Sequence, residues 1–306
     1  MPLTSVSRFA ASQRWADPIA KRLQPLVRRA VSPPAVRNFL DGVWLGAPLH
    51  PALTDVPVGA WTTALLLDSG SVLSGDKGLG AAADRALAVG TIAAVPAVVT
   101  GLNDSRDLIG QSRRIALVHA LVNVLGLSLS TASLAYRRKG RRGLARGLSG
   151  LGYLTSSTAA HLGGELSFAL GIRVNHTVGQ SVPESFVPVL DAAELQGDEL
   201  RQVEVDGVPV LLARTRAGEV CALASTCTHH GGPLAEGSRE GDTVTCPWHG
   251  SRFDLRTGAV VRGPAVFVQP RLEARVRDNR IEVGFPAAAG AELPELANLQ
   301  IPPRET

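Results

Sequence analysis

Aromatic residues are scarce in this chain: 4 Trp, 2 Tyr and 7 Phe, or 4% of 306 residues. Charged residues make up only 19%, and there are three cysteines, Cys221, Cys227 and Cys246, all in the last third. Three cysteines cannot all pair, which excludes a disulfide scaffold. No apolar run of useful length precedes Pro33-Pro34, so a secretory signal peptide is not expected. Few aromatics among the basic residues argue against a nucleic-acid surface. Apolar residues are plentiful, at 45%, which excludes a disordered chain or a collagen.

Charge divides the chain. Residues 1–176 hold 19 Lys/Arg against 9 Asp/Glu, and residues 177–306 hold 12 against 18. A basic, Ala/Leu-rich front half is joined to an acidic, cysteine-bearing back half. Basic residues flanking apolar runs suit lipid headgroups, so membrane lipid is an expected partner and nucleic acid is not.

The front half has four apolar stretches. Ile115–Tyr136 carries no formal charge from end to end, His119 aside, and is long enough to span a bilayer core. Ala86–Leu102 is likewise uncharged and contains Pro96, which membrane helices tolerate. Val43–Leu67 contains Asp55, and Leu148–Ile172 contains His161 and Glu165. A buried soluble bundle is the competing reading for these last two stretches. The expectation is a four-helix transmembrane bundle over 42–173, behind a basic leader over 1–41. In the leader, Asp17-Pro18 reads as an N-cap and first helical position. Ile19, Leu23 and Leu26 then share one face of a short interfacial helix interrupted by Pro25.

Orientation does not follow from charge. Arg137, Arg138, Lys139, Arg141, Arg142 and Arg146 lie between the third and fourth spans, while the leader carries seven basic residues of its own. Both segments favour the cytoplasm, yet four spans put them on opposite sides. An even number of spans places both termini on one side.

Ionisable groups inside apolar spans need a reason to be there. His50, Asp55, His119, His161 and Glu165 form the candidate site of the membrane domain. They can hydrogen-bond across helices, His119 and His161 can ligate a haem b, or the group can hold a quinone headgroup. The segment from Leu45 to Trp61, with His50-Pro51 followed by an apolar run and Pro57-Val58-Gly59, resembles the opening of an uncharacterised bacterial family predicted to form four-helix membrane domains. Ala160–Leu166 is similar to that family's last helix. The likeness covers 42–178 and implies a membrane domain without a known activity.

After a linker at 174–186 the texture changes. Short runs alternate with Gly, Asp and Pro turns: Phe186–Val189, Leu200–Val205, Val208–Ala213, Val220–Leu223, Thr243–Cys246, Val266–Val268, Leu272–Val276 and Ile281–Val283. Asp206-Gly207 is a strong hairpin signal. An all-β domain is expected over 187–285, followed by a disordered tail over 286–306.

Its chemistry sits in Cys227-Thr228-His229 and Cys246-Pro247-Trp248-His249, with positions 230–245 between them. Two Cys and two His can make a tetrahedral zinc site. Here, however, each motif contributes one of each. Together with His230-Gly231-Gly232-Pro233-Leu234 and Gly250-Ser251-Arg252-Phe253-Asp254, the pattern resembles the Rieske iron–sulfur domain. The resemblance implies a [2Fe–2S] cluster, with Cys227 and Cys246 on one iron and His229 and His249 on the other. Imidazole in place of two thiolates raises the potential above that of plant-type ferredoxins. Ser251 would donate a hydrogen bond to a bridging sulfide, and the histidines would form the electron-exchange edge. His230 is read as a solvated neighbour and Cys221 as a core residue.

Quinol-oxidising Rieske proteins join an extra cysteine of each loop in a disulfide. Gly231 and Trp248 stand at those positions here, and Phe253 replaces a frequent tyrosine. These departures point to the low-potential, ferredoxin-like branch seen with dioxygenases and the nitrite-reductase small subunit. An oxygenase would need a further mononuclear iron site after the Rieske domain, and no His follows Val283. The expected function is a membrane-anchored oxidoreductase component, not a self-contained oxygenase, exchanging electrons with a reductase or ferredoxin. The alternatives are a redox-sensing or binding module and a single-chain quinone- or haem-linked oxidoreductase. The expected location is the inner membrane, multi-pass, with the Rieske domain in the cytoplasm. The oligomeric state is not legible.

Overall fold

The computed structural model describes residues 3–180 and 185–284. The expected tail at 286–306 lies outside them. The chain is an N-terminal helical domain followed by an all-β domain, as the sequence pattern predicts.

The leader folds into three helices, α1 (Ser5–Ser12), α2 (Ala16–Ala30) and α3 (Pro34–Asp41). The expected interfacial helix is α2, which runs through Pro25. Trp15 rather than Asp17 occupies the N-cap. Asp17 sits in the first turn, where it accepts hydrogen bonds from Arg113 (2.6 Å) and Arg114 (2.7 Å). Those two arginines hold its carboxyl down at about 2, and they fasten the leader to the next helical layer.

Four long helices follow: α4 (Leu49–Ser74), α5 (Lys77–Ser105), α6 (Gly110–Arg138) and α7 (Arg142–Gly164), the last continued by a π-helical turn at Glu165–Ala169. Three of them, α4, α5 and α6, are long and apolar enough to cross a membrane, whereas α7 falls short of that standard. Their large apolar side chains point outward: Leu66, Leu73, Ile92, Val95, Leu125 and Leu154 are exposed. Small and polar residues such as Ala64, Ala83, Ala97, Ser130, Ser133 and Ser156 face inward. Small residues inside and large apolar ones outside are the arrangement expected of helices long and apolar enough to cross a membrane.

The helical domain repeats itself. Pro57, Trp61, Ala64 and Asp68 of α4 are buried at the same spacing as Gly126, Ser130, Ser133 and Arg137 of α6. Ala83, Gly90, Ala94 and Ala97 of α5 match Ala145, Gly152, Ser156 and Ala159 of α7. The two hairpins thus share one pattern of buried positions. At the end remote from the β domain, Arg137 pairs with its equivalent, Asp68. Arg137 also meets Asp84 of α5 (2.6 Å), and the related pair is Arg146 of α7 with Asp68 (3.3 Å).

Among the described residues the β domain contains ten strands: β1 (Val187–Asp191), β2 (Leu200–Val205), β3 (Val208–Arg214), β4 (Val220–Ala224), β5 (Ser238–Glu240), β6 (Thr243–Thr245), β7 (Arg252–Asp254), β8 (Val260–Arg262), β9 (Arg271–Arg277) and β10 (Arg280–Gly284). They form a six-stranded sheet ordered β1-β10-β9-β4-β3-β2 and a four-stranded sheet ordered β5-β6-β7-β8. Asp206-Gly207 makes the β2–β3 hairpin, and both residues have positive φ, as a type I′ turn requires. Val266–Val268, expected as a strand, belongs to an irregular loop. Its residues serve the neighbouring site instead of a ladder. Leu211, Leu223, Leu234, Val244, Phe253 and Leu255 pack between the sheets, with Cys221, Cys227 and Cys246 among them.

Candidate metal centre between the two domains

The motif residues sit in two loops, one running from β4 to β5 and the other from β6 to β7, and the loops are built alike. Gly231 N donates to Cys227 O (2.9 Å), and Gly250 N donates to Cys246 O (3.1 Å). Cys227 N then donates to Gly232 O and Cys246 N to Ser251 O, each at 2.8 Å. Gly231 and Gly250 both have φ +73°, a left-handed conformation that favours glycine. Each loop therefore presents its cysteine sulfur and the following backbone amides toward one point.

The donor groups converge there. Cys227 and Cys246 are buried in one cluster. Their mutual influence raises the Cys227 thiol and lowers Cys246 to about 6, helped by the Trp248 and His249 amides. The His229 and His249 rings lie 5.1 Å apart between centroids, at 80°. His229 is 8% exposed, and its Nδ1 has no hydrogen-bond partner. A buried ring nitrogen without a partner, beside two converging thiols, fits a metal ligand. Burial pushes His229 well below the usual histidine range and His249 below it too, which keeps both imidazoles neutral.

Ser251 is fully buried and its Oγ accepts from Ala265 N (2.9 Å), leaving the hydroxyl proton to be donated. Three residues that no motif announced brace the first loop. Gln269 accepts from Thr228 N (3.1 Å) and donates to Ala224 O (2.7 Å) and Thr226 O (2.6 Å). Thr228 Oγ1 donates to Phe267 O (3.0 Å). His176, from the connecting segment, donates its backbone amide to Thr228 O (3.0 Å). Gln269 could have been suspected only from a polar side chain inside an otherwise apolar run.

His230 is not a solvated neighbour. Its ring is packed 4.6 Å from His229, 5.5 Å from His249 and 5.2 Å from His176. Burial, followed by the charges of His249 and His176, lowers it to about 4. Cys221, off the site, is a core thiol that burial raises to about 11.

The histidine edge is only partly open to solvent: His229 is buried, and His230 and His249 are half-buried. It faces the end of the helical domain across a cavity of about 20 Å³, whose lining includes Asp104, Arg106, Asp107, Arg173, Pro264 and the three histidines. This is room for one or two waters. Asp41 organises the helical side of this junction: it accepts from Arg106 (2.7 and 3.0 Å), Asn103 (2.8 Å) and Arg173 (3.0 Å). Arg173 reaches Asp104 and donates to Pro264 O (2.8 Å). Asn38 takes Gly263 N (3.0 Å) and donates to Val261 O (3.0 Å). Burial would raise the Asp41 carboxyl, but the hydrogen bond and charge of Arg106 and the charge of Arg173 outweigh it and hold it below its ordinary value.

The five candidates inside the helices do not form one site. His50 donates Nδ1–H to Ala97 O (2.8 Å) on α5. Asp55 is exposed on the outer face of α4. His119 donates Nδ1–H to Ala159 O (2.7 Å), and its Nε2 lies 3.2 Å from Asn123 Nδ2. His161 is half exposed and, with Glu165, holds Thr4 of α1. The pairing of His119 with His161 at one haem is therefore corrected: one ring turns into the bundle and the other to its surface.

A two-sheet β domain with paired Cys/His loops at its tip defines an electron-transfer protein of the iron–sulfur class. Residues 185–272 match the Rieske [2Fe-2S] domain, and residues 46–176 match a predicted membrane protein family, DUF2231. The 3-phenylpropionate/cinnamic acid dioxygenase ferredoxin subunit of Shigella boydii serotype 4 (strain Sb227) is 33% identical over 102 residues, which are 33% of this chain and 92% of that protein. Apoptosis-inducing factor 3 of Mus musculus is 30% identical over 95 residues, 31% of this chain but only 16% of the relative's length. Among solved structures, the ferredoxin of carbazole 1,9a-dioxygenase from Nocardioides aromaticivorans IC177 is similar at 28% identity, covering 33% of this chain and 99% of its own, with a TM-score of 0.32. The chain belongs to the Rieske [2Fe–2S] family and joins that domain to a helical domain of the predicted-membrane type.

Proposed function

We propose that this chain is a membrane-anchored one-electron carrier whose [2Fe–2S] cluster is held by Cys227, Cys246, His229 and His249. The observation that carries the reading is the convergence of two buried thiols with the unpartnered Nδ1 of His229 in two loops of the same build. Bound there, the cluster supplies a site that takes and returns one electron without a proton leaving a substrate. The protein's part is to exclude water and fix charge. Cys227 and Cys246 are buried, the backbone amides after each cysteine favour its thiolate, and Ser251 has a hydroxyl proton to give. Amide and hydroxyl donors on sulfur favour the reduced, more negative form.

The outward Leu, Val and Ile of α4–α6 support anchoring in the inner membrane. The leader and the β domain lie at one end of the bundle and the Arg137–Arg146 segment at the other. We place the cluster end in the cytoplasm, where a reductase or ferredoxin supplies electrons. For a haem b in the helices, His119 already spends Nδ1 on Ala159 O and Nε2 on Asn123 Nδ2, and the candidate residues for a quinone headgroup are dispersed. We assign neither.

Low-temperature EPR of the dithionite-reduced, detergent-purified protein tests the cluster. The expected result is a rhombic signal with the low mean g of mixed Cys/His ligation and two irons per chain. One zinc and no iron would reject it. Fractionation tests the anchor: complete recovery in the soluble fraction without detergent would reject it.

A further inference from the structure

Helix α2 has more apolar surface than its packing uses. Ala16, Ala20 and Gln24 turn inward, and Gln24 donates to Ser105 O (3.0 Å) and Leu108 O (2.8 Å) at the α5–α6 junction. Ile19, Leu23 and Leu26 form a second stripe at helical spacing, and it points away from the protein: Leu26 is 66% exposed and Ile19 47%. Arg22 and Arg29 run along the outer edge of that stripe, two turns apart. In water such a stripe is unfavourable, whereas the boundary between lipid headgroups and acyl chains buries it. The same character extends around this end of the molecule. Phe9, Trp15, Phe39 and Trp44 are exposed, and the Phe39 and Trp44 rings stack with centroids 6.0 Å apart. Phe168, in the turn after α7, is exposed at the same end. The remaining Trp of the helical domain, Trp61, is buried. Every exposed Trp and Phe of the described helical domain therefore lies at the cluster end, and the outward Val56, Val58 and Leu66 of α4 continue the apolar surface from Trp44. Aromatic rings gathered in one band at the end of an apolar bundle mark a membrane–water boundary.

Charge names the lipid. Residues 3–41 hold seven Lys/Arg and two Asp. Asp17 and Asp41 are both taken by arginines from outside the leader, and Arg28 pairs with Asp107 (3.0 Å). Arg8, Arg14, Lys21, Arg22 and Arg29 are exposed and, among the described residues, meet no carboxylate. A cationic row beside an apolar stripe fits a surface that is both oily and negative, as a bilayer with acidic lipid is. We propose that the leader is an acidic-lipid site: Ile19, Leu23 and Leu26 enter the acyl boundary, Arg22 and Arg29 hold headgroup phosphates, and lipid so bound steadies the α5–α6 junction beside the cluster histidines. The inference rests on the membrane-anchored reading above. The steadying follows from the two sides of α2. Its outer side meets lipid, while its inner side holds Ser105 and Leu108 through Gln24 and Asp107 through Arg28. Asp107 and Leu108 line the cavity shared with His229, His230 and His249.

The test uses the full chain in nanodiscs of phosphatidylcholine, with or without phosphatidylglycerol, read by hydrogen exchange. Phosphatidylglycerol is expected to slow exchange several-fold over 16–30 and 105–109 and to leave the β-sheet core unchanged. Arg22→Glu/Arg29→Glu is expected to abolish that difference without altering the rates in phosphatidylcholine, and Arg22→Lys/Arg29→Lys to keep it. Arg138→Glu/Lys139→Glu, at the far end of the bundle, is expected to keep it too. Soluble glycerophosphoglycerol added to phosphatidylcholine discs is expected to protect nothing. Protection by that headgroup alone would mean a site for a free anion and would overturn the proposal. So would equal exchange in the two kinds of disc, a full difference retained by Arg22→Glu/Arg29→Glu, or slowing confined to 16–30. A chain that does not enter the discs would reject the anchored reading itself, a different result.

Discussion

Gly126 of α6 and Gly152 of α7 face each other so closely that a Cβ built on either would stand 3.0 Å from the carbonyl oxygen of the other. The Gly126 position would also overlap Ser156 Oγ. Contact between backbones, rather than interlocked large side chains, joins this hairpin. Gly126→Val is expected to force the helices apart and destabilise the detergent-solubilised domain by about 1–3 kcal/mol. Gly150→Ala, where nothing lies within 4 Å, is expected to be neutral or slightly stabilising. Thermal unfolding of the two variants side by side decides; equal midpoints would contradict the reading of this contact.

Asp41 is fully buried and answers both Arg106, 2% exposed, and Arg173, 6% exposed. Asp41→Ala leaves two buried guanidiniums with less than their full counter-charge, a change that destabilises by about 3–5 kcal/mol when a buried pair is broken. Asp104 and Asp107 remain nearby, so the lower end of that range is expected. The loss falls on the end of the helical domain that meets the β domain. Hydrogen exchange should accelerate at the 176–180 segment and at the 228–230 loop, while the β-sheet core keeps its protection. Uniform acceleration through the sheet would contradict this.

Acid should undo the same contacts. Asp41 is held below its ordinary value of 3.8, and Asp17 is lowered to about 2 by Arg114 and Arg113. A depressed carboxylate contributes stability above its unfolded pKa and loses it as pH falls through the folded one. Docking of the β domain and of the leader should therefore hold above about pH 4 and weaken toward pH 2. Asp17→Asn is expected to flatten part of that dependence. Melting temperatures between pH 6 and pH 2.5 report it, and a curve of the same steepness in the variant would count against the assignment.

Ser251 has one proton to give, because its oxygen already accepts from Ala265 N. Ser251→Ala removes a hydrogen bond to a charged acceptor, worth about 1–2 kcal/mol, or roughly 40–90 mV for a one-electron couple. The cluster potential is expected to fall by that amount with the EPR line shape preserved. A potential within about 10 mV of the parent, on the order of 0.2 kcal/mol for one electron, would mean that the hydroxyl does not face the cluster.

The two-part architecture and the Cys/His loops could be read from sequence because each is a local signal: long uncharged runs, and C-x-H with C-x-x-H at fixed spacing. What joins the parts could not. Asp41, Arg106 and Arg173 lie far apart along the chain, and nothing in their neighbours marks them as one ion cluster. Asp17 looked like a cap because Asp-Pro so often is one, and two distant arginines reassigned it. Val266–Val268 had the composition of a strand, but the carbonyl of Phe267 is taken by Thr228, and tertiary demand overrode propensity. The strands β5, β7 and β8 are three residues each, too short for alternation to register. The internal repeat is hard to read because, although Ala83, Gly90 and Ala97 of α5 meet the same residue types in α7, Ala145, Gly152 and Ala159, between α4 and α6 Trp61 answers Ser130 and Asp68 answers Arg137.

That last substitution has a consequence for assembly. The first hairpin carries the acids, Asp68 and Asp84, and the second carries the bases, Arg137 and Arg146. Two first hairpins brought together would bury four carboxylates against one another, and two second hairpins four guanidiniums. Each half can therefore complete its interior only with the unlike half, and the shortest way to supply it is from the same polypeptide.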